Sequence, residues 1–143
     1  MRQIQIRALV AILAIFGVVG AYAQTSSSEF GEKEYLKSCA TCHGRTGKGD
    51  GPVADSLKKR PTDLTKLSES NKGVFPFART YEVIDGRFNV MVHGPRDMPI
   101  WGDAYTREMN SRAPRDTPKE FVDALTRARI LALVEYIFTL QAK

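Results

Sequence analysis

Cys39-Ala40-Thr41-Cys42-His43 sets two thiols and an imidazole within one short run. Read as C-x-x-C-H, the run fits covalent attachment of a c-type haem. Thiols one helical turn apart can each add to one of the two vinyl groups on the same porphyrin edge. The adjacent imidazole then lies under the iron as its proximal ligand. Ala40 and Thr41 need only be small enough to let the ring lie close. Other chemistries have less behind them. A thioredoxin-like thiol pair should close a strand in a βαβ pattern, and no such pattern is legible. A zinc site needs two more ligands at similar spacing, but the chain has no other cysteine and one other histidine, His93.

The elements that must hold this motif follow from the rest of the chain. Arg2 and Arg7 precede an apolar run over 8–20, and Ala21-Tyr22-Ala23 is a small-x-small cleavage signal. The pattern is that of a secretory leader over 1–23, with an apolar run too short to span a membrane. The mature domain is then 24–143, a length suited to a single modest core. The leader carries two arginines and no acidic residue, so the formal charge of +5 falls to +3 in the mature chain. A charge this small does not argue for a nucleic-acid-binding face. Export also suits the cysteines, because thioether formation belongs outside the cytoplasm, and one haem accounts for both. The expected location is the periplasm.

A first helix is expected over 29–41, capped by Ser28, with Glu29 and Glu32 at its positive end. Gly31 inside it costs about 1 kcal/mol against alanine, which points to another helix crossing close by. The glycine-rich stretch 44–52 lacks the G-x-x-x-x-G-K-[ST] pattern of a phosphate loop and reads as a flexible turn over the haem edge. A short helix is expected over 52–57, with Pro52 at its start. Pro61-Thr62-Asp63-Leu64 is a turn in which the Pro61 carbonyl could accept the Nδ1 proton of His43 and fix its tautomer. Residues 66–77 read as irregular. Thr80 caps a helix over 81–85 that Gly86 ends, with Val83 and Ile84 facing inward. The stretch 87–92 is mixed, and 93–102 is a rigid loop with two prolines and two glycines. Residues 103–116 read as polar, Arg-rich surface loop with a little helix. Thr117-Pro118-Lys119-Glu120 is a capping box opening a last helix to about Gln141, with a candidate break near Thr126 or Arg127. Its apolar stripe is Phe121, Leu125, Ala128, Leu131, Val134, Ile137 and Phe138. The fold class is all-α, about four to five helices with long loops, and the haem itself must supply the centre of the core.

At this point the chain resembles class I cytochromes c of the bacterial periplasmic kind. The residues that carry the likeness are Gly31-x3-Tyr35-x3-Cys39, CATCHG with GKGDGP behind it, PTDL, HGPRDMPIWG and the closing LVEYIFTL. They span 31–140. The resemblance implies a small helical domain around one covalent haem c, with histidine and methionine as axial ligands. It implies also that the first and last helices cross at Gly31 against Tyr136. The link into the last helix is longer here than is usual in the family, so the role of 103–116 stays open.

Met98 is the expected sixth ligand. It stands between Asp97 and Pro99 in a stiff polar loop, where core filling, a methionine's ordinary use, does not apply. Met91 reads as core, Met109 as exposed, and His93 as the competing ligand, since bis-histidine haems exist. Trp101 is expected near the haem on the methionine side, its N–H on a propionate. A six-coordinate haem leaves no open position, so the expected chemistry is outer-sphere transfer of one electron. The partners are redox proteins, a donor and an acceptor, docking through the haem edge, with no small-molecule substrate. Lys58, Lys59, Arg60, Arg79, Arg87 and Arg96 could ring that edge and favour an acidic partner. Two alternatives remain: a haem enzyme or gas- or peroxide-binding protein with a displaceable sixth ligand, and a cytochrome subunit of a dehydrogenase or oxidase complex that uses 103–116 as its interface.

Overall fold

The computed structural model describes residues 28–87 and 98–142. Six α-helical segments and no strand occur among the described residues: α1 (28–38), α2 (Ala40–His43), α3 (Leu67–Ser70), α4 (Phe77–Asp85), α5 (Trp101–Arg112) and α6 (Lys119–Thr139). The all-α expectation holds. The leader over 1–23, with Met91 and His93, lies outside the described residues.

The first helix does not run on to Thr41. It ends at residue 38, and a second short helix restarts after Cys39, so the thiol sits at the joint between the two. Ser28 is already helical and does not cap the helix. The crossing at Gly31 is observed. A Cβ there would overlap the Ala132 carbonyl oxygen and lie 3.0 Å from Tyr136 Cβ. Backbone meets backbone because Gly31 has no side chain and Ala132 only a methyl group. One turn on, Tyr35 packs its ring on Tyr136 at 5.2 Å.

Helix α4 begins four residues earlier than expected. Thr80 is interior, its hydroxyl donating to the Pro76 carbonyl at 3.0 Å, which is the back-bond a mid-helix threonine makes. Gly86 ends the helix with φ +67° and its N–H on Glu82 O.

The polar stretch expected to be loop is instead a helix, α5, which packs on α6 and α4. Apolar periodicity is weak because Gly102 and Tyr105 are its buried residues. Ion pairs hold it: Glu108 accepts from Arg129 at 2.8 Å, Lys37 at 3.2 Å and Arg112 at 2.9 Å.

Helix α6 starts one residue after the expected position, with Pro118 at its cap and no side-chain cap bond, and it runs unbroken past Thr126. Its buried face is Val122, Thr126, Ile130, Ala132, Leu133, Val134 and Ile137. Of the expected stripe, Val134 and Ile137 are buried, while Phe121, Leu125, Ala128, Leu131 and Phe138 are exposed. The helix is rotated toward the small residues because those let α1 and α5 approach. Thr126, fully buried, meets Thr106 of α5.

Around this frame Tyr35, Cys39, Ile84, Tyr105, Ile130, Leu133 and Ile137 form one core. Ion pairs stitch its rim. Hydrogen bonds from Arg87 hold the Asp85 and Asp123 carboxyls below their ordinary value of 3.8. Burial pushes Glu108 up, but bonds from Arg129 and Lys37 outweigh it and the net shift is downward. A depressed folded pKa gives stability that is present above the unfolded pKa and lost as pH falls through the folded one. The denaturation midpoint should therefore hold from pH 7 to about 5 and fall below about 4. Guanidinium titrations of the holoprotein from pH 6 to 3 check this, and a midpoint flat to pH 3 would contradict it.

Candidate functional site

Helix α2 carries the motif and ends at His43, where Gly44 turns the chain with φ +78°. Its last carbonyls would be left without partners. The glycine-rich stretch supplies them: Gly49 N–H donates to His43 O at 2.8 Å, Gly51 to Cys42 O at 3.1 Å and Val53 to Thr41 O at 3.2 Å. Buried Tyr35 donates its hydroxyl to Gly44 O at 2.7 Å. The stretch is therefore a packed and bonded brace under the motif, not the flexible turn expected. The helix expected over 52–57 is a single 3-10 turn, Ala54–Ser56.

The brace also decides which carbonyl meets His43. Gly49 has φ +75°, and a Cβ on it would overlap the Pro61 carbonyl. With the Pro61 oxygen turned onto Gly49, the next carbonyl reaches the imidazole: Thr62 O lies 3.1 Å from Nδ1. The expected Pro61 contact is corrected by one residue. Burial pulls the His43 pKa down, and the Thr62 bond works the other way. The neutral ring, with its Nδ1 proton on Thr62, keeps the Nε2 lone pair for a metal.

A cleft of about 210 Å³ opens beside this ring. Its lining includes Cys39, His43 and Met98, with Ile84 and Ile137 among its apolar residues and Arg79 among its polar ones. Tertiary structure thus gathers Cys39, His43 and Met98. Pro61 and Trp101 are not in the lining. Trp101 stacks on Tyr105 at 5.4 Å. Arg87 is bonded to Asp85 and Asp123 and so is withdrawn from the expected basic ring. Arg79 reaches Glu82 at 3.7 Å.

The two cysteines are free, Cys39 buried and Cys42 half-buried. Burial pushes the Cys39 thiol up to about 12. Among the described residues no three His, Cys, Asp or Glu side chains gather to hold a metal ion.

Thr62, Ile84 and Ile137 are lining residues that sequence reasoning did not assign to the site. Thr62 acts through a carbonyl, a group every residue carries, so no side-chain signal marks it. Ile84 and Ile137 read as inward-facing, but inward toward what is a tertiary question.

Residues 29–113 match the family described as "Cytochrome C oxidase, cbb3-type, subunit III". The chain belongs to this family. The match runs from α1 through α5 and stops before α6. No curated protein and no solved structure matches the chain. A cytochrome c domain of this kind carries covalently bound, iron-containing haem c and serves haem-based electron transfer. The residues present suit that group: two unpaired thiols at thioether spacing, an oriented neutral imidazole, and a methionine in one largely apolar lining.

Proposed function

We propose that this cytochrome c domain is a periplasmic one-electron carrier, with haem linked through Cys39 and Cys42 and ligated by His43 and Met98. The observation that carries the reading is the meeting of Cys39, His43 and Met98 in one cleft, although Met98 lies 55 residues after His43. When bound, the haem supplies a one-electron Fe(III)/Fe(II) couple. The chain's residues do the rest. Thr62 fixes the His43 tautomer and raises the basicity of Nε2. Met98 fills the position a substrate or gas would need, and a thioether there favours the reduced iron. Ile84 and Ile137 exclude water, which lowers the reorganisation that accompanies a charge change. The leader pattern over 1–23 supports export. Donor and acceptor are redox proteins, and the family's description favours an oxidase complex as one of them. Stoichiometric co-purification would distinguish a complex subunit from a free carrier.

Ultraviolet–visible spectra of the matured protein, oxidised and reduced, with and without carbon monoxide, test the reading. The expected result is a low-spin c-type spectrum, a weak near-infrared sulfur-to-iron band, and no response to carbon monoxide. A high-spin spectrum, or rapid carbon monoxide binding by the wild type, would replace the carrier with a ligand-binding haem protein.

A further inference from the structure

Asp85, at the end of α4, is fully buried. Arg87 grips it with both arms of its fork, Nε on Oδ1 at 2.6 Å and Nη2 on Oδ2 at 2.9 Å. The same guanidinium donates Nη1 to Asp123 of α6 at 2.9 Å. Gly102, in the first turn of α5, lies flat against this pair. A Cβ there would overlap Asp85 Oδ1 and stand 2.5 Å from Arg87 Nε. Arg87 is the last described residue before 88–97, and Met98 follows that segment four residues before Gly102. Arg87 before that segment and Gly102 shortly after Met98 therefore meet at one ion pair, its carboxylate fully buried and its guanidinium part-buried.

We propose that the Asp85–Arg87 pair, closed by Gly102, is a positioning device that holds Met98 at the iron. The inference rests on the reading of Met98 as sixth ligand. Neither Asp85 nor Arg87 lines the cleft, so their effect on the iron is indirect. A buried ion pair is weak support for stability, because desolvation offsets much of its attraction. Its fixed bidentate geometry does set where the two chain ends stand. Met98 is an intramolecular ligand, so its hold on iron against an outside competitor follows its effective concentration there. Loosening the two anchors lowers that concentration.

Imidazole, added to the ferric holoprotein, competes for the sixth position and reads this directly. Asp85→Asn and Gly102→Ala should each tighten imidazole binding about tenfold or more, the scale set by losing charge-assisted hydrogen bonds. Each should also weaken the sulfur-to-iron band. Arg87→Lys, which keeps the charge but not the fork, should fall between them and wild type. Glu34→Gln, at the separate Glu34–Arg129 pair, should lower the thermal midpoint and leave imidazole binding unchanged. Folded Gly102→Ala protein with imidazole affinity within twofold of wild type would overturn the proposal. So would a Glu34→Gln variant that shifts the affinity as far as Asp85→Asn does. A wild type without the sulfur-to-iron band refutes Met98 ligation itself, a failure seen before any variant is made.

Discussion

Alanine in place of Met98 will abolish the sulfur-to-iron band of the ferric holoprotein and let the ferrous haem bind carbon monoxide, which the wild type will not do. Met98 is the methionine that lines the cleft with His43 among the described residues. Met109 sits half-buried on α5, and Met109→Ala should leave the spectrum unchanged. On the proposed ligation, loss of the thioether also removes a ligand that favours ferrous iron, so the potential should drop. A fall on the order of a tenth of a volt or more fits within the ~0.8 V that axial ligands span. Spectroelectrochemical titration of both variants against wild type reads the two effects together. An unchanged band in Met98→Ala would show that another group ligates the iron.

Valine at Gly31 should be the most damaging single change to the fold. The Cβ alone would overlap the Ala132 carbonyl, and that oxygen belongs to the backbone of α6, which cannot turn aside as a side chain can. Relief requires moving α1 off α6, which separates Tyr35 from Tyr136 and loosens the joint at Cys39. Overpacking a tight contact costs up to about 3 kcal/mol, enough to consume much of a small domain's stability. The gain in helix propensity over glycine, less than about 1 kcal/mol for valine, does not offset it. Guanidinium unfolding of the holoprotein should show a lower midpoint with an unchanged slope. A midpoint equal to wild type would mean the crossing is not tight in solution.

These two residues were legible for different reasons. Gly31 was conspicuous because glycine in a helix interior needs a packing cause, and the resemblance named Tyr136 as its partner. Met98 was conspicuous because proline on one side and aspartate on the other make poor core. Helix α5 was not legible. Its stability comes from Glu108 meeting Lys37 and Arg129 of other helices, and a pattern of charges in sequence looks the same whether solvated or paired. The buried face of α6 was not legible for a related reason. Large apolar side chains marked one stripe, but close approach of α1 and α5 selects the small residues Ala132 and Thr126 beside Ile130 and Leu133.

By itself the sequence determined the covalent chemistry, since two thiols and an imidazole at that spacing are local facts that no packing can alter. It determined the helical class, and it marked Met98 as out of place in a core. Tertiary structure decided the rest. Turning Pro61 O onto Gly49 hands the Nδ1 bond to Thr62, and folding α5 onto α4 sets Gly102 against Asp85 and Arg87. Such contacts join residues far apart in the chain through carbonyls, glycine surfaces and paired charges, groups whose partners are fixed only when the helices meet.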